Sequence, residues 1–176
     1  MDTIVWILIL LTAFNFLLKQ TFWKPVAVGA AAGIAAIFVI LMWPYAIEQS
    51  KTQIADWLSD NQLMLDTSVV LTLEIVLQMA FCLLAVHVAN YSPVKKRMML
   101  AYRLLYWFPG VLIIPVLFFG LTQAVFSFPG VSFKLIAWFF GAFVFVIIPL
   151  GRWLIKWLLP EEDLRLELFF LTNALV

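Results

Sequence analysis

The sequence predicts an all-α polytopic membrane protein with five transmembrane helices, a truncated sixth at its C-terminal end, and an outer N-terminus. Three observations predict it. Of 176 residues, 65% are hydrophobic and only 12% are charged, whereas globular domains sit near half apolar and a quarter charged. Apolar runs of membrane-spanning length recur, the clearest being TSVVLTLEIVLQMAFCLLAVHVA at 67–89; about 20 apolar residues cross a bilayer core as a helix. Finally, Lys and Arg collect in alternate loops, which is the bias that orients membrane proteins. The formal net charge of +1 lacks the concentrated basic surface that nucleic-acid binding requires. The single cysteine, Cys82, cannot form an internal disulfide. Together with the one histidine, His87, it supplies too few ligands for a metal site.

The first span is expected at 3–18. It has neither a basic segment before it nor a small-residue cleavage site after it, so it reads as a retained helix and not a removable signal. Asn15 near its end has the character of a residue bonding to a neighbouring helix or to headgroups. A short link carries Lys19, Trp23 and Lys24. The second span, 26–43, opens on a small-residue face with Gly29 and Gly33 one turn apart. That spacing lets helix backbones approach closely and is a helix-packing signal, either within the chain or between subunits. Pro44 is expected to end it. The loop at 46–66 places Ile47, Ile54, Trp57 and Leu58 at helical spacing among Glu48, Lys51, Asp56 and Asp60. It reads as an amphipathic helix on the outer membrane surface, a cap or a docking surface.

The third span is 67–89. The fourth, 104–126, is interrupted by Pro109-Gly110 and Pro115; proline removes a backbone donor and kinks a helix. Bending for packing and shaping of a cavity are both open. The fifth span, 135–159, carries Arg152 and Lys156 near its end beside Trp153 and Trp157, which reads as snorkelling to the interface. An acidic stretch, PEEDLRLE, follows. The apolar tail at 168–176 is too short to span, so the chain is expected to stop inside a sixth helix.

Orientation follows from the cations. Lys19 and Lys24, then Lys95, Lys96, Arg97 and Arg103, then Arg152 and Lys156 fall on one side; Lys51 and Lys134 fall on the other. The first side is cytoplasmic by the positive-inside rule. This suits a multi-pass protein of a bacterial inner membrane, with the lipid bilayer and other membrane subunits as partners. Trp23, Trp43, Trp57, Trp107, Trp153 and Trp157 all fall near proposed interfaces, as an aromatic belt does.

Glu74 is the principal candidate site. It lies seven residues into its span, about 10 Å deep at 1.5 Å per residue, and ionisable groups at membrane depth mark functional sites. Gln78 follows one turn later on the same face, between Leu71 and Cys82. Three readings are open: a protonated Glu74 bonded to Gln123 at matching depth, a pair with a cation of another subunit, or a carboxyl exchanging a proton or ion along a wet path. His87 lies thirteen residues on, turned well away, so a direct relay along this helix is not expected. His87 reads either as an interfacial histidine or as a proton hand-off at the inner mouth. There is no phosphate loop, no HExxH, no nucleophile beside a base and no cofactor motif. The chain is therefore read as non-enzymatic, with no catalytic or metal residues and no cofactor.

The opening TIVWILILLTAFNFLLKQ, the Glu74 helix and the closing PEEDLRLELFFLTNALV together resemble the HmuT-like small polytopic membrane proteins of bacterial haem-uptake operons. These accompany an ExbB/TolQ-type proton-channel protein and an ExbD-like partner. The resemblance implies a subunit of an inner-membrane motor that draws on the proton gradient to energise outer-membrane uptake, and it transfers no catalytic residue. The chain lacks the long cytoplasmic insertion and three-span layout of ExbB itself. From the residues alone, the preferred reading is a non-enzymatic subunit of an ion-gradient-coupled complex. A free-standing transporter or channel, or a scaffold without an ion path, is the alternative.

Overall fold

The computed structural model describes residues 2–48, 61–90, 95–128 and 130–175, and among them it is all-helical, without strands. The helices are α1 (Asp2–Gln20), α2 (Pro25–Leu41), α3 (Trp43–Glu48), α4 (Asn61–Asn90), α5 (Lys96–Trp107), α6 (Ile113–Ser127), α7 (Phe133–Leu158) and α8 (Glu162–Leu175). Proline punctuates them as helix physics allows: Pro25 and Pro44 stand at or just inside helix starts, where a missing N–H costs nothing.

α1 and the turn after it, α5 and α7 are tied together where Gln20, Trp23, Tyr106 and Arg152 converge. Arg152 donates from Nε to the Gln20 carbonyl (3.2 Å) and from Nη2 to the Trp23 carbonyl (3.0 Å). Those carbonyls belong to the negative end of α1 and the turn after it, where a cation is favoured. Trp23 Nε1 donates to the Tyr106 carbonyl at 2.7 Å, and the Tyr106 hydroxyl donates to the Phe22 carbonyl at 2.7 Å. Arg165 Nη1 donates to Leu159 and Pro160 and closes the last turn. Arg152 is thus tied into the fold by backbone carbonyls.

Two apolar clusters fill the interior. One joins α2 (Val28, Ala32, Val39) to α6 (Leu121, Val125) and α7 (Ala137, Val144, Ile148). The other joins α1 (Leu18), α4 (Phe81, Cys82) and α8 (Leu166, Phe169). Glycines admit the close crossings. A Cβ on Gly141 would stand 2.9 Å from Ile40 and 3.3 Å from the Ala36 carbonyl, and one on Gly151 would stand 3.0 Å from Leu17. Gly29 and Gly33 have open space at the same test. Among the described residues the helical glycines at close crossings are Gly141 and Gly151 on α7 and Gly120 on α6, where a Cβ would stand 2.9 Å from the Phe140 ring, whereas Gly29 and Gly33 of α2 are half-buried with room for a side chain.

Two described helices, Leu65–Asn90 and Phe133–Leu158, are long and apolar enough to cross a membrane. Less than a third of the most apolar stretch of each is buried. Trp138, Phe139, Phe143, Val146, Leu150, Trp153 and Trp157 of α7 all lie on the outside, which sets it apart from the core helix of a water-soluble bundle.

The stretch expected as one kinked span, 104–126, is two helices: α5 ends at Trp107 and α6 begins at Ile113. Pro115 falls in the first turn of α6, where proline is tolerated, and kinks nothing. Pro149 lies inside α7, which continues through it. The tail expected at 168–176 is part of a helix that starts at Glu162, whose first-turn Glu162 and Asp163 complement the helix dipole. Most of the expected amphipathic surface helix at 46–66 lies outside the described residues; α3 ends at Glu48 and α4 begins at Asn61.

Candidate functional site: a buried carboxylate at a broken helix

The break between α5 and α6 creates a local demand. A helix start leaves backbone N–H groups without intrahelical partners. The N-cap of α6 is Leu112, whose side chain cannot accept a hydrogen bond. Glu74, one helix away on α4, fills that role. Its Oε2 accepts from Val111 N–H at 2.7 Å and from Leu112 N–H at 2.8 Å. Its Oε1 accepts from Gln78 Nε2 at 2.8 Å. All three donors are uncharged, and the anion also meets the positive end of the α6 dipole. Glu74 is 5% exposed and Gln78 likewise.

Gly110 makes this approach possible. Its φ of +94° is a conformation side chains avoid, and a Cβ there would stand 2.6 Å from Glu74 Oε1 and 3.2 Å from Gln78 Nε2. Pro109-Gly110 is therefore a deliberate break: proline interrupts the helix, and glycine turns the chain so that its amides face the acid.

Glu74 and Gln78 are brought together by the structure. Gln123 is not: the Glu74 carboxyl bonds to Gln78 and the 111–112 backbone in its place, while Gln123 is half-buried on α6 and its carbonyl accepts from Ser127. His87 is half-buried near the far end of α4, about 20 Å along the helix from Glu74. The amide of Gln78 keeps one unsatisfied atom, Oε1.

A second buried group escaped the sequence reading. Lys19, 1% exposed, places Nζ 3.0 Å from the Phe81 ring centroid and 5.6 Å from that of Phe169. An ammonium over aromatic faces gains roughly 2 kcal/mol when desolvated, less than the several kcal/mol its desolvation costs. One turn back on the same face, Asn15 Nδ2 donates to Asn173 Oδ1 at 3.4 Å, and Asn173 Nδ2 donates to the Phe169 carbonyl at 2.7 Å. The signal was present in the sequence as two polar residues four apart on an apolar helix. Lys19 was read there as part of a surface link. No group of three or more metal-ligating side chains occurs among the described residues.

Compared with known proteins, the chain matches no family model, no curated protein and no solved structure.

Proposed function

We propose that the chain is a multi-pass protein of a bacterial inner membrane and a non-enzymatic subunit of an ion-gradient-coupled complex, in which Glu74 exchanges a proton. In this reading α1, α2, α4, α6, α7 and α8 are the membrane segments, with the N-terminus outside and α5 at the inner interface. The observation that carries it is the buried carboxyl of Glu74, which accepts from Gln78 on its own apolar helix and from the Val111 and Leu112 amides of the broken helix beside it. Irregular backbone at membrane depth is tolerated where protein satisfies it, and discontinuous helices whose ends bind charge are the working parts of many membrane transport proteins. As a carboxylate, Glu74 pins the start of α6 to α4. Protonation weakens that grip by removing the charge that the α6 dipole attracts. The exposed apolar outer half of α4, with Leu65, Val69, Val70 and Leu73 all uncovered, supports a place beside other subunits.

The test is reconstitution of the complex, purified in mild detergent, into vesicles with an internal pH dye. Glu74→Gln is expected to abolish gradient-driven proton movement while the same partners co-purify. Unchanged proton movement refutes the ion path. It would leave the second reading, a scaffold subunit in which Glu74 is solely a helix cap, which the full set of donors to that carboxylate favours. The haem-uptake assignment rests on the resemblance alone; co-purification with ExbB-like and ExbD-like proteins is its test.

A further inference from the structure

We infer that the groove between α2 and the α5–α6 break holds one acyl chain of an anionic phospholipid, with its phosphate at Lys24. The inference rests on the membrane reading above. The groove has a volume of about 750 Å³. Its floor on α2 is made by small side chains, Ala27, Ala30 and Ala31, and its wall by Ile113 and Leu117 of α6. It runs along α2 from Lys24 to Phe38, roughly 21 Å at 1.5 Å per residue. One leaflet's hydrocarbon is about 15 Å deep, half the bilayer core. The trough is therefore long enough to hold one lipid tail through its leaflet and lies along the helix axis.

Its chemistry is also that of a lipid site. Lys24 is the one charged residue lining it, and it is exposed at the mouth. Trp23 and Trp107 stand there with ring centroids 5.6 Å apart, as interfacial tryptophans do at headgroup level. Arg152 adds positive charge behind, through its bond to the Trp23 carbonyl. A cationic rim over an apolar trough selects an anionic headgroup over a zwitterionic one. Pro109 and Gly110 form part of the wall, so a tail in this groove lies against the break that Glu74 holds.

The experiment uses the full chain in vesicles of equimolar phosphatidylglycerol and phosphatidylcholine, extracted in mild detergent, with retained lipid counted by native mass spectrometry. The expected result is one phosphatidylglycerol per chain, loss of headgroup preference in Lys24→Glu, and loss of retention in Ala30→Trp, which fills the trough from an exposed position. Equal retention of both lipids by the unaltered chain, or undiminished retention in Ala30→Trp, overturns the proposal. So does a dimer without lipid that Ala30→Trp converts to monomer, because a second copy then occupies the groove. If Ala30→Trp fails to fold, the exposed Lys24→Glu exchange decides alone. Failure of the membrane reading shows separately, as release of the chain from membranes by alkaline carbonate.

Discussion

At the residue scale, the Glu74–Gly110 contact governs what substitutions do. Glu74→Ala leaves the Val111 and Leu112 amides without their acceptor, and each unsatisfied buried donor costs about 1–3 kcal/mol. Glu74→Gln keeps one carbonyl oxygen for those amides. Thermal melts in detergent should therefore rank unaltered chain, Glu74→Gln, Glu74→Ala in falling order; equal midpoints for the last two contradict the capping geometry. Gly110→Ala is expected to destabilise strongly, by at least the roughly 1–3 kcal/mol that a strained backbone conformation costs, with the collision against Glu74 in addition. Gly33→Ala meets open space inside a helix, and should be neutral or gain up to about 1 kcal/mol. The two variants, made side by side, separate a glycine the fold requires from one it does not. Lys19→Met removes a buried ammonium and keeps the stem's bulk. Desolvation outweighs the ring contacts, so the melting midpoint should stay or rise. A sharp fall would show that the aromatic cage stabilises the charge more than burial penalises it.

At the element scale, the sequence made the helices legible and missed how two of them connect. Runs of apolar residues marked α1, α2, α4 and α7, because a membrane-like exterior and a packed interior both select apolar side chains. The same uniformity hid which face is inward: nothing in the composition of α2 distinguishes the packed Ala32 and Ala36 from the exposed Ile34 and Ile37. Pro109, Gly110 and Pro115 were visible, but their meaning depends on where the freed amides go, and the acceptor lies 37 residues earlier. Glu74 and Gln78 could be singled out because polar residues among apolar ones stand out. Their partners could not, because two of them are backbone groups that carry no sequence signature. Lys19 was lost for the opposite reason: it sits at the end of an apolar run, where lysines ordinarily reach water, and only the fold shows Phe81 and Phe169 closing over it.

At the scale of the whole molecule, the proposed topology sets which helix ends share a side of the membrane. With Cys82→Ala removing the native thiol, Asp2→Cys should react from outside with an impermeant maleimide, and Glu162→Cys only after permeabilisation. Reaction of both from one side contradicts the proposed topology. The proposal itself is narrower: Glu74 exchanges a proton from within a membrane-spanning α4. Its most direct measurement is modification of Glu74 in permeabilised native membranes by dicyclohexylcarbodiimide, a hydrophobic reagent that attacks carboxyls in apolar surroundings, read by mass spectrometry. The account predicts that Glu74 is modified by it, while a membrane-impermeant carbodiimide reaches the exposed Glu161 and Glu162 and spares the buried Glu74. Absence of Glu74 modification, or equal reaction with the impermeant reagent, contradicts it.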